Sequence, residues 1–404
     1  MSRATPLTHF RQPLLKTPFH ARYEALMRTG QWYGWAGYRA AGIVEDEELE
    51  YFAIRNSSSL FDLSPMVKYR IGGRDAERFL NRLMVRDVAK LAPGRVHYTV
   101  WCDDDGKVID DGTLFRLGAD DFRLCCQERH LDWFLDAAMG RDVVIAEETE
   151  EVAALSLQGP TSCALLKCAG FDGIESLKPF AITEFPLGHH DHQVTVSRTG
   201  FTGDLGYELF VAPEGAEALW DRLWKAGQWH GLRAIGNVAL NIARLEAGFI
   251  ITNTDFVAAN QAITPARRRS PFEIGLGWLV DLKKPCYFNG KRALEAELKS
   301  GGSGNVLVKL EVAGNFPAEH SLIYHRQKTN AGEVTTAAWS PTTKRSIALA
   351  SLEKPYGTRI KDDLWAEIYV LRELTYHKLM MPAEVVEQPF FNPERRRATP
   401  PADF

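Results

Sequence analysis

Short strand-like segments that come in pairs, with helix-like segments between them, limit the folds open to this chain. The strand-like runs are rich in β-branched and aromatic residues and end at Gly, Asp or Pro; they include residues 67–71, 113–117, 122–126, 193–197 and 208–211. Residues 75–83 and 214–229 repeat apolar positions at the helical period. Paired strands without a steady βαβ alternation favour an α+β fold with antiparallel sheets over a doubly wound parallel sheet.

Length and composition indicate a globular protein of more than one domain. A chain of 404 residues exceeds what one hydrophobic core usually organises. Its 45% hydrophobic and 25% charged residues are average for soluble globular proteins. Residues 297–305 are polar and glycine-rich, and a strand-like run follows them. We therefore expect one region over residues 1–295 and a β-rich C-terminal domain over residues 296–404.

Charge and motif content exclude several classes of partner. A net charge of −4 provides no basic field for nucleic acid, and no GxGxxG or GxxxxGK[ST] loop is found. No apolar run is long enough to span a membrane, so neither membrane nor nucleic acid is expected as a partner. The segment 1–25 lacks a secretory apolar stretch, which favours a cytoplasmic location over the mitochondrial matrix.

The cysteine and histidine content does not predict a metal site. The six cysteines form no CxxC pair and lie in apolar stretches, as buried reduced thiols do. The run His189-His190-Asp191-His192 contains ligand-type residues, but contiguous side chains in a turn point apart. We interpret that run as a solvated loop and expect no metal.

The segment 98–114 (YTVWCDDDGKVIDDGTL) is the first candidate site. A turn at Asp105-Gly106 joins two strands and places Asp110 and Asp111 side by side within a β-hairpin. Neighbours on a strand face opposite sides, so only one of the two carboxylates can point into a pocket. On spacing alone, acidic pairs in hairpins are usually solvated turn residues.

Two further segments carry candidate ligand-binding groups. Residues 197–211 (SRTGFTGDLGYELFV) place a glycine at every third position before a strand that contains Glu208. Such glycines allow positive φ and close approach to a flat ligand, and a carboxylate can pair with an amidine-like edge. This combination suits a pterin, although an ordinary glycine-rich turn has the same spacing. Arg244, near the end of a helix-like run, and Trp278 complete the candidates.

Nine sequence blocks in the same order resemble the glycine-cleavage T-protein family. They are FDLSPM, the 98–111 hairpin, LQGP, SRTGFTGDLGYEL, RLEAG, SPFEIGLGWLVDL, NGKRAL, GEVTTAAWSPTTKRSIAL and PFFNPE. The resemblance covers almost the whole chain. It implies a three-domain ring of mainly antiparallel sheets with flanking helices, closed around a central folate channel. Residues 1–295 would be the folate-binding region, built from two interleaved subdomains.

The same resemblance assigns roles to individual residues. It implies that Asp111 is the catalytic aspartate at the reactive edge of tetrahydrofolate and that Glu208 binds the pterin. The resemblance also implies folate contacts at five further positions. They are Tyr98, Gln127, Phe201, Arg244 and Trp278. Three positions depart from the family pattern: Pro65 stands where the family has His, Phe201 where it has Tyr, and Gln127 where it has Asn.

These departures alter groups that face the one-carbon donor while the folate pocket is kept. They favour the branch of the family that demethylates free small molecules and forms 5-methyltetrahydrofolate. Trp35, Tyr38 and Met66 are the candidate substrate residues. The alternative is the aminomethyltransferase of glycine cleavage, which acts on a lipoyl carrier protein and forms methylenetetrahydrofolate. A third hypothesis is a non-enzymatic folate-binding factor for iron–sulfur proteins. The segment Lys284-Pro285-Cys286-Tyr287 matches the characteristic motif of that group only in part.

The C-terminal segment 390–404 is rich in proline and arginine. We expect it to lie extended on the surface, with Arg395, Arg396 and Arg397 in solvent.

Overall fold

A computed structural model describes residues 13–188 and 192–401 of the chain. Residues 1–12 of the N-terminal segment, and three of the four residues in the histidine-rich run at 189–192, therefore lie outside the described residues. Within the described ranges, no helix is both long and apolar enough to cross a membrane.

Helices and strands alternate irregularly along the chain. The helices are α1 (His20–Leu26), α2 (Glu47–Asn56), α3 (Ala76–Leu83), α4 (Leu131–Ala138), α5 (Ser162–Cys168), α6 (Ala216–Gly227), α7 (Asn237–Glu246) and α8 (Lys291–Lys299). The strands of the first half are β1 (Gln31–Trp35), β2 (Tyr38–Ile43), β3 (Ser58–Asp62), β4 (Val67–Gly72), β5 (Arg95–Cys102), β6 (Val108–Gly118), β7 (Asp121–Cys126), β8 (Val144–Glu147) and β9 (Ala153–Gln158). Those of the second half are β10 (Ile182–Pro186), β11 (Gln193–Ser197), β12 (Gly206–Val211), β13 (Leu232–Ala234), β14 (Asn305–Val312), β15 (Leu322–His325), β16 (Thr329–Ser340), β17 (Arg345–Glu353), β18 (Leu364–Arg372) and β19 (Thr375–Val386).

Three sheets and one hairpin make up the architecture. A six-stranded sheet has the order β10-β11-β12-β9-β3-β13, and a five-stranded sheet has the order β5-β6-β7-β4-β8. Strands β14 to β19 close into a barrel, and β1 pairs with β2 in a separate hairpin. All these pairings are antiparallel except that of β13 with β3. The expected α+β fold with antiparallel sheets and a β-rich C-terminal domain is confirmed.

The six-stranded and five-stranded sheets pack face to face through one apolar cluster. It includes Phe61 from β3, Phe115 from β6, Cys125 from β7 and Phe210 from β12. The rings of Phe115 and Phe210 meet edge to face, with centroids 5.3 Å apart. Because aromatic pairs of this kind stabilise the contact beyond the area that they bury, the spacing between the sheets is well fixed at this point.

The barrel is joined to the sheets by a buried polar cluster around Glu246 at the end of α7. Glu246 Oε1 accepts hydrogen bonds from Tyr51 Oη (2.6 Å) on α2 and from Ser340 Oγ (2.5 Å) on β16 of the barrel. Arg55 on α2 pairs with Glu246 Oε2 through Nε (2.9 Å) and Nη2 (2.6 Å). A buried charge that lost these partners would destabilise the protein strongly, so the cluster fixes the barrel to the sheets.

The C-terminal segment does not lie free in solvent as expected. Arg395 makes a bidentate pair with Asp204, through Nε (2.6 Å) and Nη2 (2.7 Å). The Asp204 side chain has no exposed surface, and a buried carboxylate requires such a partner. The Phe391 amide donates to the Glu246 carbonyl (2.9 Å), and the Arg396 guanidinium lies 4.9 Å from the ring centroid of Phe249. The expectation of a solvated arginine run is therefore wrong for Arg395 and Arg396, whereas Arg397 is exposed.

Candidate functional site

The two acids of the β5–β6 hairpin point to opposite faces of the five-stranded sheet, as strand alternation requires. Asp111 shares its face with Phe115, which packs against Phe210 of the six-stranded sheet. Asp110 shares the other face with Leu114, which belongs to a separate core cluster. Only Asp111 therefore faces the space between the two sheets.

Asp111 is half-buried and held by two hydroxyl groups. Tyr98 Oη donates to Asp111 Oδ2 (2.8 Å), and Thr252 Oγ1 lies 2.9 Å from Asp111 Oδ1. Burial raises the pKa of Asp111 to about 7, and the negative charge of Asp110 acts in the same direction. The hydrogen bond from Tyr98 opposes that rise. An acid of this kind exchanges a proton near neutral pH.

Asp110 is fully buried and surrounded by donors. Its Oδ1 accepts from the Asp111 amide (2.8 Å) and from Thr252 Oγ1 (2.6 Å). Its Oδ2 accepts from the Glu128 amide (3.1 Å) and lies 2.9 Å from His130 Nε2. Four groups therefore lie within hydrogen-bond distance of the Asp110 carboxylate, whereas two hydroxyl groups contact Asp111.

The raised pKa of Asp111 makes the stability of the protein depend on pH. The pKa is about 7 in the folded protein against an ordinary value of 3.8, so the folded state binds this proton more tightly than the unfolded chain does. Stability is therefore lost as pH rises from about 4 to about 7. We expect Asp111→Asn to remove this loss and to be the more stable protein at pH 8, by on the order of 2 kcal/mol because the carboxyl is partly solvated.

Urea unfolding of both proteins at pH 5 and pH 8 tests this expectation. The gain from Asp111→Asn should be larger at pH 8. Asp104→Asn is the matched control, because Asp104 is exposed in the turn of the same hairpin. A gain that is equal at the two pH values would show that Asp111 ionises normally in the folded protein.

Glu208 lies on β12, in the sheet that faces Asp111. Its side chain is buried, and the structure gives it one side-chain partner, Thr199, whose Oγ1 donates to Glu208 Oε2 (2.5 Å). Burial raises the pKa of Glu208, and the bond from Thr199 opposes that rise. Cys125 of β7, which shares the Asp111 face of the five-stranded sheet, lies within electrostatic reach of Glu208. The two candidate acids therefore belong to facing surfaces of the two sheets.

The glycine-rich loop before β12 is shaped by the side chain of Gln158. A Cβ at Gly200 would lie 2.0 Å from Gln158 Oε1, and one at Gly206 would lie 2.1 Å from it. Thr202 Oγ1 donates to the same oxygen (3.1 Å). Of the three glycines, only Gly203 has a positive φ, at 75°. Positive φ is thus used only at Gly203 of the three, whereas Gly200 and Gly206 must be small because the buried Gln158 amide occupies the space of a side chain.

Gly206→Ala is expected to distort this loop. The added methyl group would overlap the Gln158 amide, and overpacking of this kind costs about 1–3 kcal/mol. We expect a loss of stability in that range together with weaker binding of any ligand that contacts Glu208, measured by urea unfolding and calorimetry. The matched control is Gly304→Ala, because no atom lies within 4 Å of its added Cβ. Equal stability of the two variants would contradict the steric argument.

Arg244, near the end of α7, is enclosed by hydrogen-bond partners. It has no exposed surface, and four of its five N–H groups are used: Nε by Asn241, Nη1 by the Phe249 carbonyl and Asp255, and Nη2 by Thr336 of the barrel. The expected folate contact of Arg244 stays a prediction. Arg244 is held by Asp255 and so fixes the loop that carries Thr252, so its role in the structure is positional.

The remaining candidate folate residues lie at different depths. Tyr98 and Trp278 are near neighbours, with ring centroids 6.4 Å apart, and Trp278 is 69% exposed. Phe201 stacks on Phe249 at 5.5 Å with an interplanar angle of 19°. Gln127 is half-buried in the turn after β7, and its amide has no hydrogen bond to a described residue. These side chains offer aromatic surfaces and one unused amide group.

The three candidate substrate residues come from the β1–β2 hairpin and from the turn after β3. Trp35 packs against Phe61 with ring centroids 6.0 Å apart, and Met66 joins the same apolar cluster. Tyr38 is buried. The structure thus brings Trp35 and Met66 to the margin of the core between the sheets, whereas Tyr38 is part of the packed interior.

Four residues that organise the site were not found from the sequence. Thr252 links the acid pair, Asp255 holds Arg244, Thr199 orients Glu208, and His130 contacts Asp110. Thr199 was within reach of sequence reasoning, because it precedes the glycine loop and lies two residues after a strand. Nothing in the sequence around the other three marks them, because their partners lie in other segments of the chain, from 11 residues away for Asp255 to 142 for Thr252.

Two family descriptions match the chain. The GCVT N-terminal domain matches residues 17–284, and the glycine cleavage T-protein C-terminal barrel domain matches residues 305–392. The second range contains the six barrel strands.

Similar proteins carry two different names. The trimethylamine-oxide aldolase of Ruegeria pomeroyi is 34% identical over 363 residues, which are 86% of this chain but only 43% of that protein. The aminomethyltransferase of Bacillus subtilis is 32% identical over 347 residues, covering 85% of this chain and 90% of that protein. The crystal structure of the glycine cleavage system aminomethyltransferase T from Bartonella henselae superposes with a TM-score of 0.80 at 23% identity, over 94% of this chain and 99% of that one. This last similarity concerns the fold alone.

Proposed function

Since the chain belongs to the glycine-cleavage T-protein family of folate-dependent one-carbon enzymes, we propose that it moves a methyl group from a small N-, O- or S-methyl compound to tetrahydrofolate, forming 5-methyltetrahydrofolate. One observation carries the proposal. Two sheets face each other. One carries the buried carboxylate Glu208, whose one side-chain partner among the described residues is Thr199, and the other carries Asp111, an acid that exchanges its proton near neutral pH.

The residues between the sheets fit a reduced pterin. Glu208 is a buried acceptor with unused lone pairs, and an amidine-like N–H edge would satisfy them with charge-assisted hydrogen bonds. The rings of Tyr98, Phe201 and Trp278 offer flat surfaces for stacking. Gln127 has a free amide group for the polar rim of the ligand.

Asp111 is placed to handle the proton of the reaction. When bound, tetrahydrofolate supplies a nucleophilic nitrogen, N5, that accepts the methyl carbon. As the new bond to carbon forms, the bond from carbon to the donor heteroatom breaks, N5 loses a proton and the departing nitrogen or oxygen gains one. Asp111 in its acid form can give a proton to the departing atom, and as a carboxylate it can then take up the proton from N5. Asp111 thus returns to its acid form, with no net gain or loss of protons. A sulfonium donor leaves as a neutral thioether and needs only the second step.

The substrate side of the site differs from the family pattern in a way that supports a free small molecule. Pro65 lies in a turn whose neighbours are fixed by Lys68, because Lys68 Nζ donates to the carbonyls of Ser64 (2.8 Å) and Met66 (2.8 Å). The turn therefore presents a rigid apolar residue where the family has an ionisable one. The similarity to a protein named for trimethylamine oxide agrees with this reading.

Aminomethyl transfer from a lipoyl carrier protein is the second candidate. It is favoured by the aminomethyltransferase relatives, of whose length this chain covers about nine-tenths. In that reaction the product is methylenetetrahydrofolate and ammonia is released.

A panel of methylated amines, methoxy aromatics and methylated sulfur compounds, each incubated with the protein and tetrahydrofolate, tests the proposal. We expect 5-methyltetrahydrofolate from at least one compound without any carrier protein. If folate product forms only with an aminomethylated lipoyl carrier, and as methylenetetrahydrofolate with ammonia, the second candidate is correct and the first is not.

A further inference from the structure

A continuous chain of buried polar groups runs behind Asp111, away from the space between the sheets. From Tyr98 Oη it passes through Asp111, Thr252 Oγ1 and Asp110 to His130 Nε2, with successive distances of 2.8, 2.9, 2.6 and 2.9 Å. The His130 ring packs instead against Trp101 and Phe134, with ring centroids 5.6 and 6.1 Å away. The chemistry described above does not use His130 or Asp110, yet both are almost fully buried.

The hydrogens of this chain can be assigned from its geometry. Nδ1 of His130 is buried without a hydrogen-bond partner among the described residues, whereas Nε2 faces the Asp110 carboxylate. An imidazolium would leave a buried N–H unpaired at Nδ1, which is costly. The ring hydrogen is therefore assigned to Nε2, which donates to Asp110.

The shared hydroxyl of Thr252 then determines which acid carries the proton. It has one hydrogen but lies within hydrogen-bond distance of both carboxyl groups. Asp110 already accepts from the Asp111 amide, the Glu128 amide and His130, so its charged form is the better satisfied. Thr252 donates to Asp110 and accepts from a protonated Asp111, and in this arrangement every hydrogen in the chain is used.

We propose that His130 is a positioning residue that keeps the negative charge on Asp110 and thereby keeps the exchangeable proton of the pair on Asp111. This inference deepens the proposed function and rests on it for its catalytic consequence, because it explains how the site retains its acid form. The raised pKa of Asp111 is consistent with a fixed negative neighbour.

Other titratable groups packed around the pair do not replace His130. Tyr98 on β5 and Cys126 on β7 face the acids, and burial raises the pKa of both, so they are neutral at working pH. Tyr69 on β4 uses its hydroxyl to accept from the His130 amide (2.7 Å), and its pKa is also raised by burial. Glu128 and Arg129 in the turn after β7 contribute opposite charges.

Two substitutions at position 130 separate charge control from packing. His130→Leu fills the apolar surroundings but removes the donor, so the proton can move to Asp110; we expect turnover to fall on the order of tenfold or more at every pH. His130→Gln places an amide N–H near Asp110 and should restore most of the lost turnover. Asp110→Asn removes the neighbouring charge, so the limb of the pH–rate profile that reports loss of the acid form should move to lower pH by about one unit or more.

Infrared difference spectra of the free protein provide a readout that does not need turnover. The C=O stretch of a protonated carboxyl group that disappears in Asp111→Asn identifies the acid form of Asp111. We expect this band in the wild type at pH 6 and a weaker band in His130→Leu. In Asp110→Asn the band should disappear at a lower pH than in the wild type. Thr252→Val, which breaks the bridge without touching His130, should weaken the band as well.

A failure of the proposed function can be distinguished from a failure of the inference on proton placement. If the wild type forms no folate product but the band responds to His130 as expected, the proposed function fails and the inference on proton placement stands. If the wild type is active and a folded His130→Leu keeps both its turnover and its band, the inference is wrong.

Discussion

Replacement of Asp111 by Asn is expected to lower turnover by roughly 10² or more, the size of effect that the loss of one acid–base group produces. Asn keeps the shape of the side chain and can still accept the hydrogen bond from Tyr98. It cannot give or take the proton that must leave N5 and reach the donor heteroatom. Tetrahydrofolate should bind within severalfold of the wild type, because the pterin edge is assigned to Glu208 and not to Asp111.

Single-turnover assays with a methyl donor from the panel, together with calorimetry of tetrahydrofolate binding, measure the two quantities separately. Asp104→Asn removes an exposed carboxylate from the same hairpin and should leave both unchanged. Wild-type turnover by the Asp111→Asn protein would remove Asp111 from the mechanism. A sulfonium donor gives an internal comparison, because it needs no proton on the leaving group, and we expect a smaller loss with such a donor.

The second large effect is expected at the opposite wall of the site. Glu208→Gln keeps the size of the side chain and an oxygen that can accept from Thr199 Oγ1, but it removes the charge that would pair with the pterin edge. Hydrogen bonds to a charged group contribute about 1.5–3 kcal/mol. The Kd for tetrahydrofolate should therefore rise about tenfold to a hundredfold.

Calorimetric titration of the purified protein with reduced folate measures this change. Glu184→Gln is the matched control, since Glu184 is exposed on β10 of the same sheet. Because Gln cannot ionise, the Kd of Glu208→Gln for tetrahydrofolate should also change less with pH than the Kd of the wild type. An unaltered Kd in Glu208→Gln would mean that the pterin lies elsewhere, and the assignment of the whole site would then be lost.

Periodicity and turn residues were enough to predict the elements that position the site. The strand predicted at 193–197 is β11, that at 208–211 lies within β12, and the helix predicted at 75–83 is α3 with Asp75 before its first residue. The alternation of side chains along a strand predicted that Asp110 and Asp111 would point apart. These are local properties, and the local sequence determines them.

What the sequence could not predict depends on contacts between distant segments. Arg244 looked like a cation at a helix end, but Asp255 and the barrel residue Thr336 enclose it. The glycines at 200 and 206 looked like sources of conformational freedom, but Gln158, more than 40 residues earlier, explains their size. In each case the partner is specified only once the sheets have assembled, so no local pattern records it.

The pairing of Arg395 with Asp204 ties the loop before β12 to a segment that follows the barrel. Asp204 lies in the loop that ends in β12, and its bidentate partner lies 191 residues further along the chain. Arg55 Nη1 lies 4.0 Å from the same carboxyl group, so loss of Arg395 would leave buried Asp204 with a longer and weaker ion pair. A substitution in the segment after the barrel is therefore expected to loosen the loop before β12, and with it the strand that carries Glu208, from a position far away in the sequence.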